Sequence, residues 1–566
     1  MITKIKGTIT YVFPDDINTD DIIPAWTLQE SKERKYFAKY AFANYDPDFV
    51  KKTNKKNSNI LIAGKNFGCG SSREQAVYAL QENNIVAVLA ESFPDIFYRN
   101  AINNGLILII VDNPQIYKKN TDIEIDLKNK TIRSNKKVKS FIINETDRNA
   151  LIYGGKTGIV LKHLEEIITQ NICRINYFKS DILSNQPQTI AEKIISDHIE
   201  KVVYAGNKIN RLPIDILFFN EVIGPPAISD FQEKFSGTFK KLGVKLQVFN
   251  RKKIFLIPDH TVPSSSVAVS EGITQMEMFA KETGIKCFKE GDGIEHIVLI
   301  EEGKIVPGEI VLGTDSHTDT NGALNTLSFG IGTTDGTYAL ATGYLYDFIV
   351  PETIRVNLIG KFKNGVYAKD LILNLTGKLG AGGAVKQVLE FGGSGMKNIN
   401  LDGRTTIANM AVEMGARTGI FEFDSILKKY LNQTTTLPYK PYFPDKNCHY
   451  TKTITLDLSK LTPTNSFPHK PENTTSVEKL KEYMAKSKRS KTADFVPVDS
   501  LTITDAFLGA CTNGKYDDFV SAAKILKGHK VHPNVNFVVI PASRKIYNRL
   551  LTDGILQIFA DSGANI

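Results

Sequence analysis

The chain has 566 residues, 42% of them hydrophobic and 23% charged, which is enough for several domains with buried cores. It has no run of about 18 or more apolar residues, so we expect no membrane span. Its formal net charge of +9 comes partly from lysine runs without interleaved aromatic residues, and we therefore expect no nucleic-acid partner.

Cysteine usage and the first residues indicate the compartment. The five cysteines are odd in number and widely spread, which argues against a disulfide framework and fits a reducing compartment. Residues 1–12 alternate like a β-strand and match neither a signal peptide nor a transit peptide. We expect a cytoplasmic protein.

A tight turn between a strand and a helix holds the first candidate functional residues. The apolar run Asn59–Gly64 predicts a strand and Gln75–Gln81 predicts a helix. The turn between them carries two glycines and places residues 71–73 at the helix N-terminus, where free N–H groups and the helix dipole favour an anion. A plain strand-to-helix turn with a serine cap explains the same residues, so the turn alone leaves both interpretations open.

Further along, strand and helix patterns alternate. Residues 121–148 predict a polar hairpin, residues 168–188 lack periodicity and predict a linker, and Thr189 predicts the cap of an amphipathic helix that opens a new unit. Residues 425–500, rich in Pro, Asn, Thr and Lys, predict loops and an inter-domain connection. Short apolar runs between helical patterns predict parallel, doubly wound sheets, namely at Ile214–Phe219, Lys253–Ile257 and Val535–Ile540.

Two later segments carry residue types suited to acid–base and metal chemistry. Gly313–Thr318 contains Asp-Ser-His and leads through 321–323 to a glycine-rich stretch at 330–335. Gly509–Gly514 places one cysteine in a small-residue loop after an apolar strand. Together with residues 65–74, these motifs resemble the aconitase superfamily of [4Fe-4S] hydro-lyases, and the resemblance covers nearly the whole chain.

The resemblance implies an α/β protein with two parts. Residues 1–167 resemble the small swivel domain, a mixed β structure with helices. Residues 168–188 are then a linker, and 189–566 resemble the large, three-lobed aconitase-type region with doubly wound parallel sheets. Single-chain aconitases carry the swivel domain last, so the order here resembles a fusion of a small subunit to a large one.

The resemblance also implies how a hydroxy acid would lose a proton and a hydroxyl group. It makes Ser71 the base, and Ser72 and Arg73 the groups that bind a substrate carboxylate, a task that suits the guanidinium fork. It makes Asp259 and His260 the pair that delivers a proton to the leaving hydroxyl.

Further catalytic residues follow from the same motifs. His296 is implied as a second catalytic histidine, with Glu413 as its partner, because a carboxylate fixes the tautomer of an imidazole and raises its basicity. Asp315 and His317 are implied as catalytic. Ser316 is implied in substrate binding, and Asn409 and Asn513 near the cluster. An isolated Asp-His after a strand is more often a cap and a surface histidine, but three histidine motifs in the family's order favour catalysis.

Cys511 is implied as a ligand of the [4Fe-4S] cluster. Such a cluster needs three thiolates if one iron is to stay open for substrate, and relatives supply the other two in a Cys-x-x-Cys motif well beyond the first. These two cysteines are not among residues 1–566, and neither is the family's later arginine segment. We expect a sequence cut short at its C-terminus, and we interpret Cys69, Cys173, Cys287 and Cys448 as small apolar fillers.

The implied substrate is a small anionic carboxylic acid. The segment Asp16–Ala25 resembles the isopropylmalate and homoaconitate branch, and the following residues correspond to its substrate-selecting loop. There Gln29, flanked by Trp26 and Leu28, stands where an arginine would accommodate a third carboxylate. This favours a 3-isopropylmalate dehydratase-like hydro-lyase of leucine biosynthesis, acting as a monomer or homo-oligomer.

Three alternatives belong beside this interpretation. An aconitate hydratase or a homoaconitase would use the same machinery on a tricarboxylic acid. A clusterless relative that binds RNA is a candidate from another functional class. A dinucleotide-binding oxidoreductase is disfavoured, because Arg73 replaces the third glycine of the phosphate-binding fingerprint.

Overall fold

The computed structural model shows an α/β protein, as predicted, in two compact units, Met1–Ile172 and Cys173–Ile566. The division falls inside the segment 168–188, although a helix extends to Thr169; the linker stays a prediction. The structure describes residues 2–24, 26–27, 34–53, 58–69, 74–134, 137–170, 186–467, 471–483 and 502–566.

The first unit is built on one mixed sheet. Its strands are β1 (Lys4–Val12), β2 (Asn59–Ile62), β3 (Ile85–Ala90), β4 (Ile107–Ile110), β5 (Asp122–Asp126), β6 (Thr131–Ser134) and β7 (Lys137–Ser140). They lie in the order β4-β3-β2-β1-β5-β6-β7. Strands β1 to β4 are parallel neighbours and β5 to β7 pair antiparallel, which confirms the predicted hairpin region.

Apolar residues cover both faces of this sheet. Along β2, Leu61 packs into one core cluster and Ile60 and Ile62 into the other, as the alternation of side chains along a strand requires. The helices of this unit are α1 (Thr19–Ile22), α2 (Arg34–Ala38), α3 (Phe49–Lys52), α4 (Glu74–Gln81), α5 (Asp95–Asn104), α6 (Glu145–Ile152) and α7 (Lys156–Thr169), with a 3₁₀ turn at Pro114–Ile116.

The second unit contains several smaller sheets. Its strands are β8 (Lys208–Pro213), β9 (Ile216–Phe219), β10 (Ile254–Leu256), β11 (Lys286–Cys287), β12 (Ile310–Gly313), β13 (Leu327–Gly330), β14 (Tyr344–Ile349), β15 (Thr353–Ile359), β16 (Val388–Gly392), β17 (Thr418–Phe421), β18 (Lys452–Asp457), β19 (Thr464–Ser466), β20 (Thr474–Ser476), β21 (Asp505–Leu508) and β22 (Asn536–Val539).

The larger of these sheets are parallel, as predicted. One has five strands in the order β11-β10-β9-β12-β13, and one has four in the order β17-β16-β15-β18. Strands β21 and β22 form a parallel pair, whereas β8 pairs with β14 and β19 with β20 in antiparallel fashion. The predicted runs at 214–219, 253–257 and 535–540 correspond to β9, β10 and β22.

Helices alternate with these strands. They are α8 (Ile190–Ile199), α9 (Gly224–Lys241), α10 (Val267–Thr283), α11 (Glu295–Glu301), α12 (Thr333–Thr342), α13 (Ala368–Leu379), α14 (Leu401–Asn409), α15 (Ser425–Thr434), α16 (Ala510–Asn513), α17 (Tyr516–Leu526), α18 (Arg544–Thr552) and α19 (Ile555–Ser562), with 3₁₀ segments at Ser316–Leu324, Met396–Asn398, Val412–Met414, Leu458–Lys460 and Val477–Lys479. The predicted cap is confirmed: Thr189 and Glu192 form a capping box on α8. None of the helices in the described ranges is long and apolar enough to cross a membrane.

The prediction of loops for residues 425–500 is wrong in part. Residues 425–434 form α15, which buries Leu427 and Leu431, and residues 452–457 form β18 at the edge of the four-stranded sheet. The mostly polar composition does not predict either element, because α15 needs only one apolar stripe and an edge strand can expose one of its faces. Residues 484–501 lie outside the described part of the chain.

Candidate active site

The predicted acid–base residues of the second unit meet at one edge of its five-stranded sheet. Asp259 and His260 follow β10, and Asp315 follows β12. Both strands are parallel neighbours of β9, so their carboxyl ends lie side by side. Ligand sites of open parallel sheets form at this edge.

His260 lies between two carboxylates. Its Nδ1 is 2.7 Å from an oxygen of Asp259, and its Nε2 is 2.8 Å from an oxygen of Asp315. These hydrogen bonds, first to Asp259 and then to Asp315, outweigh partial burial and raise the pKa of His260 to about 11. The imidazole is therefore protonated at neutral pH, and 40% of its side chain is exposed.

Asp315 connects His260 to a second imidazole. One of its carboxylate oxygens accepts a hydrogen bond of 2.6 Å from the backbone N–H of His317, and the His317 ring lies 3.3 Å from Glu413. Burial opposes ionisation of Asp315, but hydrogen bonds from His260 and His317 hold its pKa well below the usual range. Asp315 and Glu413 in turn raise the pKa of His317 to about 10.

The predicted pairing of Glu413 with His296 is wrong. Glu413 contacts His317, and this contact lowers the pKa of Glu413. The 3₁₀ turn Val412–Met414 is held close to the segment of His317, because the backbone N–H of Val412 donates to Asp319 over 3.0 Å. Ser316 also contacts His317, with 3.2 Å between its hydroxyl and Nδ1.

Glu221 supports the Asp259–His260 loop and was missed in the sequence. Its carboxylate accepts backbone N–H bonds of 2.9 Å from Asp259 and 3.3 Å from His260, and it also accepts the hydroxyl of Thr261 at 2.8 Å. Burial disfavours the anion, but these donors lower the pKa of Glu221. Its position directly beyond β9 was the available signal, since side chains there share an edge with those beyond β10.

Glu295 and His296, at the start of α11, are buried beside this network. Glu295 is 0% and His296 is 1% exposed. Both carboxylate oxygens of Glu295 and both ring nitrogens of His296 have no hydrogen-bond partner among the described residues. Burial, reinforced by the charges of Asp259 and Asp315, raises the pKa of Glu295 well above its usual range. Buried polar groups without partners are rare, so this pair is a candidate for a functional role.

Cys511 lies close to the histidines. Burial alone would raise the pKa of its thiol, but the neighbouring His296, His317 and Asn409 lower it to about 6. Asn409 is fully buried and is positioned by Thr320, to which it donates at 2.8 Å, and by Thr512, from which it accepts at 3.1 Å. The structure thus brings Cys511 and Asn409 together, and it makes Cys511 a thiolate at neutral pH.

Two lysines near Cys511 were also missed. Lys515 is 3% exposed and donates to the hydroxyl of Thr406 at 2.9 Å and to the carbonyl of Thr512. Burial lowers its pKa to about 8. Burial also lowers the pKa of Lys369, and both ammonium groups sense the charge of Cys511. Nothing in the local spacing marked them, because their burial depends on tertiary packing.

The other predicted residues divide into two sets. The side chain of Asn513 bonds to the next helix, since its amide donates to Asp518 of α17 at 2.9 Å. Ser71, Ser72, Arg73 and Gln29 lie outside the described residues, so their roles stay predictions.

The turn that precedes residue 70 is itself well defined. The backbone N–H of Lys65 donates to Asp15 at 2.8 Å, and the side chain of Asn66 donates to Asp16 at 2.9 Å. Gly68 has φ +87°, and a Cβ there would meet the ring of Phe97 at 2.3 Å. Only glycine therefore fits this close approach.

The remaining described cysteines differ from Cys511. Burial raises the pKa of Cys287 to about 11, and it also raises the pKa values of Cys69 and Cys448. Protonated, partly buried thiols behave as small apolar side chains and are poor metal ligands. Cys173 lies outside the described residues.

Comparison with known proteins gives consistent matches. The model of the aconitase family (aconitate hydratase) matches residues 192–566, and that of the aconitase C-terminal domain matches residues 5–114. The 3-isopropylmalate dehydratase large subunit of Caldicellulosiruptor saccharolyticus is 38% identical over 381 residues, which cover 67% of this chain and 82% of that protein. Large subunit 1 from Pyrococcus abyssi is 38% identical over 380 residues, or 67% of this chain and 84% of that protein.

Among solved structures, a 3-isopropylmalate dehydratase from Methanocaldococcus jannaschii is 38% identical, covers 30% of this chain and 98% of its own, and has a TM-score of 0.27. The family model alone spans more than half of the chain. The chain belongs to the aconitase family of hydro-lyases.

Proposed function

We propose that the protein dehydrates and rehydrates a hydroxy di- or tricarboxylic acid at a [4Fe-4S] cluster, and that 3-isopropylmalate is its substrate. The named relatives support the substrate class. The observation that carries the chemistry is the continuous chain of contacts from Asp259 through His260, Asp315 and His317 to Glu413, with a cysteine thiolate beside it.

This chain of contacts supplies a proton to the leaving group. His260 is an imidazolium at neutral pH because two carboxylates flank it. Hydroxide is a far stronger base than His260, since the pKa of water is about 16, so a departing hydroxyl takes the proton readily. Asp259 and Asp315 hold the ring in place before and after the transfer.

Cys511 fits a ligand position of the cluster. Metal ligation needs a thiolate rather than a thiol, and the pKa of Cys511 of about 6 meets this condition. A bound cluster would supply a Lewis acid to the leaving hydroxyl. Asn409 and Thr512 would then orient the loop around the Cys511 ligand.

Proton removal from the substrate carbon is assigned, as part of the proposal, to Ser71. Ser72 and Arg73 would bind a substrate carboxylate, because the guanidinium pairs with it through two parallel hydrogen bonds. Gln29 would face the substituent that distinguishes 3-isopropylmalate from citrate and homocitrate.

A turnover assay tests the proposal. The full gene product, reconstituted anaerobically with iron and sulfide, is incubated with 3-isopropylmalate, citrate or homocitrate, and the unsaturated acid is followed by its ultraviolet absorbance. We expect the highest kcat/KM for 3-isopropylmalate. Gln29→Arg should shift the preference towards a tricarboxylic acid, and Glu30→Arg serves as the matched control for the added charge.

The same assay can overturn the proposal. Turnover of none of the three acids by cluster-loaded protein would contradict it. Salt-dependent RNA binding by protein without turnover would instead favour the clusterless alternative. A preference for citrate or homocitrate would keep the reaction and change the substrate.

Iron analysis tests the cluster assignment separately. The polypeptide of residues 1–566 contains five cysteines, and among the three described beside Cys511 none has a lowered pKa. We therefore expect this polypeptide to retain fewer than the four irons of a complete cluster after reconstitution and desalting. A full complement would contradict this expectation, and Cys511→Ala should remove whatever iron remains.

A further inference from the structure

Glu295 is the least explained group in the site. It is 0% exposed, and neither of its carboxylate oxygens has a hydrogen-bond partner among the described residues. Its backbone N–H donates to Asp259 at 2.8 Å, so the residue is fixed at the centre of the acid–base network. The proposed reaction gives it no role so far.

The charges around Glu295 decide its protonation state. It faces the carboxylates of Asp259, Asp315 and Glu221 and the imidazolium of His260. An ionised Glu295 would add a fourth carboxylate to this group, away from water and without a hydrogen-bond donor among the described residues. Burial of an unpaired carboxylate is strongly unfavourable, so the environment favours the neutral carboxylic acid.

The proton of that acid lies within reach of Asp315. A carboxylate oxygen of Glu295, a ring nitrogen of His296 and a carboxylate oxygen of Asp315 lie within 4.8 Å of one another. One water molecule or a small side-chain rotation spans such a gap. Asp315 in turn contacts Nε2 of His260 at 2.8 Å.

We propose that Glu295 is a proton-holding residue that compensates His260 during dehydration. When His260 gives its proton to the leaving hydroxyl, Asp259 and Asp315 lose the cation between them. The Glu295 O–H bond then breaks, its proton passes to Asp315, which hydrogen-bonds to the neutral imidazole, and Glu295 becomes the carboxylate, so the number of carboxylates around His260 stays at three. Rehydration runs these transfers in reverse and restores the acid.

This inference rests on the proposed function for its catalytic part, but its first test needs no substrate. Infrared difference spectra of wild type against Glu295→Gln at neutral pH should show the carbonyl stretch of one un-ionised carboxylic acid, shifted in D₂O and absent from the variant. Glu302→Gln, at the exposed residue that follows the C-terminal end of α11, is the control and should leave that band unchanged.

The second test measures proton supply. Glutamine keeps the size and neutrality of the side chain but cannot give up a proton in this step. We expect Glu295→Gln to fold normally, to lose about 10²-fold in kcat, the lower end for acid–base groups, with little change in KM, and to show an altered pH profile. In Glu295→Ala, formic acid added to the assay should restore part of the turnover.

Either test can overturn the proposal. Absence of a carboxylic-acid band from the difference spectrum of wild type against Glu295→Gln would show that Glu295 is ionised, whether by a bound cation or otherwise. If the infrared band is present but Glu295→Gln keeps the turnover and pH profile of wild type, Glu295 is neutral and has only a structural role. If the protein turns over no acid at all, the proposed function fails, but the infrared result still decides the protonation state of Glu295. Failure of the proposed function and failure of the proposal for Glu295 are therefore distinguishable.

Discussion

The two larger parallel sheets of the second unit both carry buried charges but use them differently. Beside the four-stranded sheet, Arg404 is 0% exposed, and its donors reach Asp424 at 2.8 Å and the carbonyls of Ile399 and Met396 at 3.1 and 3.2 Å. At the edge of the five-stranded sheet, the side chains of Glu295 and His296 have no such partners in the part of the chain that the structure describes.

A similar contrast holds for the ion pairs themselves. Arg355, within the four-stranded sheet, is shared by Glu390 and Glu422, and its charge cannot change because a guanidinium stays protonated. In the five-stranded sheet the shared cation is the imidazole of His260, which can release its proton. Buried charges that are permanent and fully hydrogen-bonded thus indicate a structural role. Buried titratable groups that lack hydrogen-bond partners indicate a chemical role.

The largest expected effect is a difference in kcat between variants of two histidines. His260→Gln should lower kcat of the folded protein by about 10² to 10⁴-fold, the range for acid–base groups. The control is His198→Gln: His198 is 4% exposed and bonded to Ile194 and Asp215 at 2.7 Å each. It should lower the melting temperature and leave kcat of the folded protein unchanged. The opposite pattern would break the comparison.

Arg404→Met tests the structural role of the buried ion pair beside the four-stranded sheet. Removing one partner of a buried ion pair leaves Asp424 uncompensated, and we expect a loss of about 3–5 kcal/mol in the free energy of unfolding, measured by urea titration. The double variant with Asp424→Asn keeps a side chain that can cap α15 and should recover part of the loss. A strong fall in kcat of the folded protein would contradict a purely structural role.

The pH dependence of stability tests the histidine network. The pKa of His317 is raised from its ordinary value of 6.5 to about 10, so its stabilising effect is fully present below pH 6.5 and is lost as the pH rises through about 10. The difference in melting temperature between wild type and His317→Gln should therefore shrink across this window. A difference that grows with pH would have the wrong sign.

The smallest expected effect is a difference in the pH at which two cysteines react in thiol alkylation. In cluster-free protein, Cys511 should react with iodoacetamide with a midpoint near pH 6, because its pKa is about 6, whereas Cys287 should need pH near 11. Mass spectrometry of peptides from both sites gives the two curves in one experiment. Coincident curves would remove the electrostatic case for Cys511 as a ligand.

Local patterns in the sequence predicted much of the fold. The run at 253–257 became β10 and Thr189 capped α8, because strand runs and capping boxes depend on neighbouring residues. The motifs also placed Asp259, His260 and Asp315 in one site. The prediction of loops from composition failed where the sequence shows no clear periodicity. Residues 452–457 are an example, because their pairing with β15 decides that a strand forms.

The finer geometry of the site could not be predicted. His260 and Asp315 are 55 residues apart, and their contact depends on β10 and β12 both neighbouring β9. The choice of His317 over His296 as the partner of Glu413 depends on how the turn at 412–414 packs. Burial of Glu295 and Lys515 is likewise a tertiary property that no local spacing encodes.

Asp315→Asn in the cluster-loaded gene product, assayed with 3-isopropylmalate, tests the central claim most directly. Asp315 contacts both His260 and His317, and asparagine keeps its shape but not its charge. The account predicts a fall in kcat of at least about 10²-fold, measured on folded protein below its melting temperature. Near wild-type turnover in this variant would contradict it.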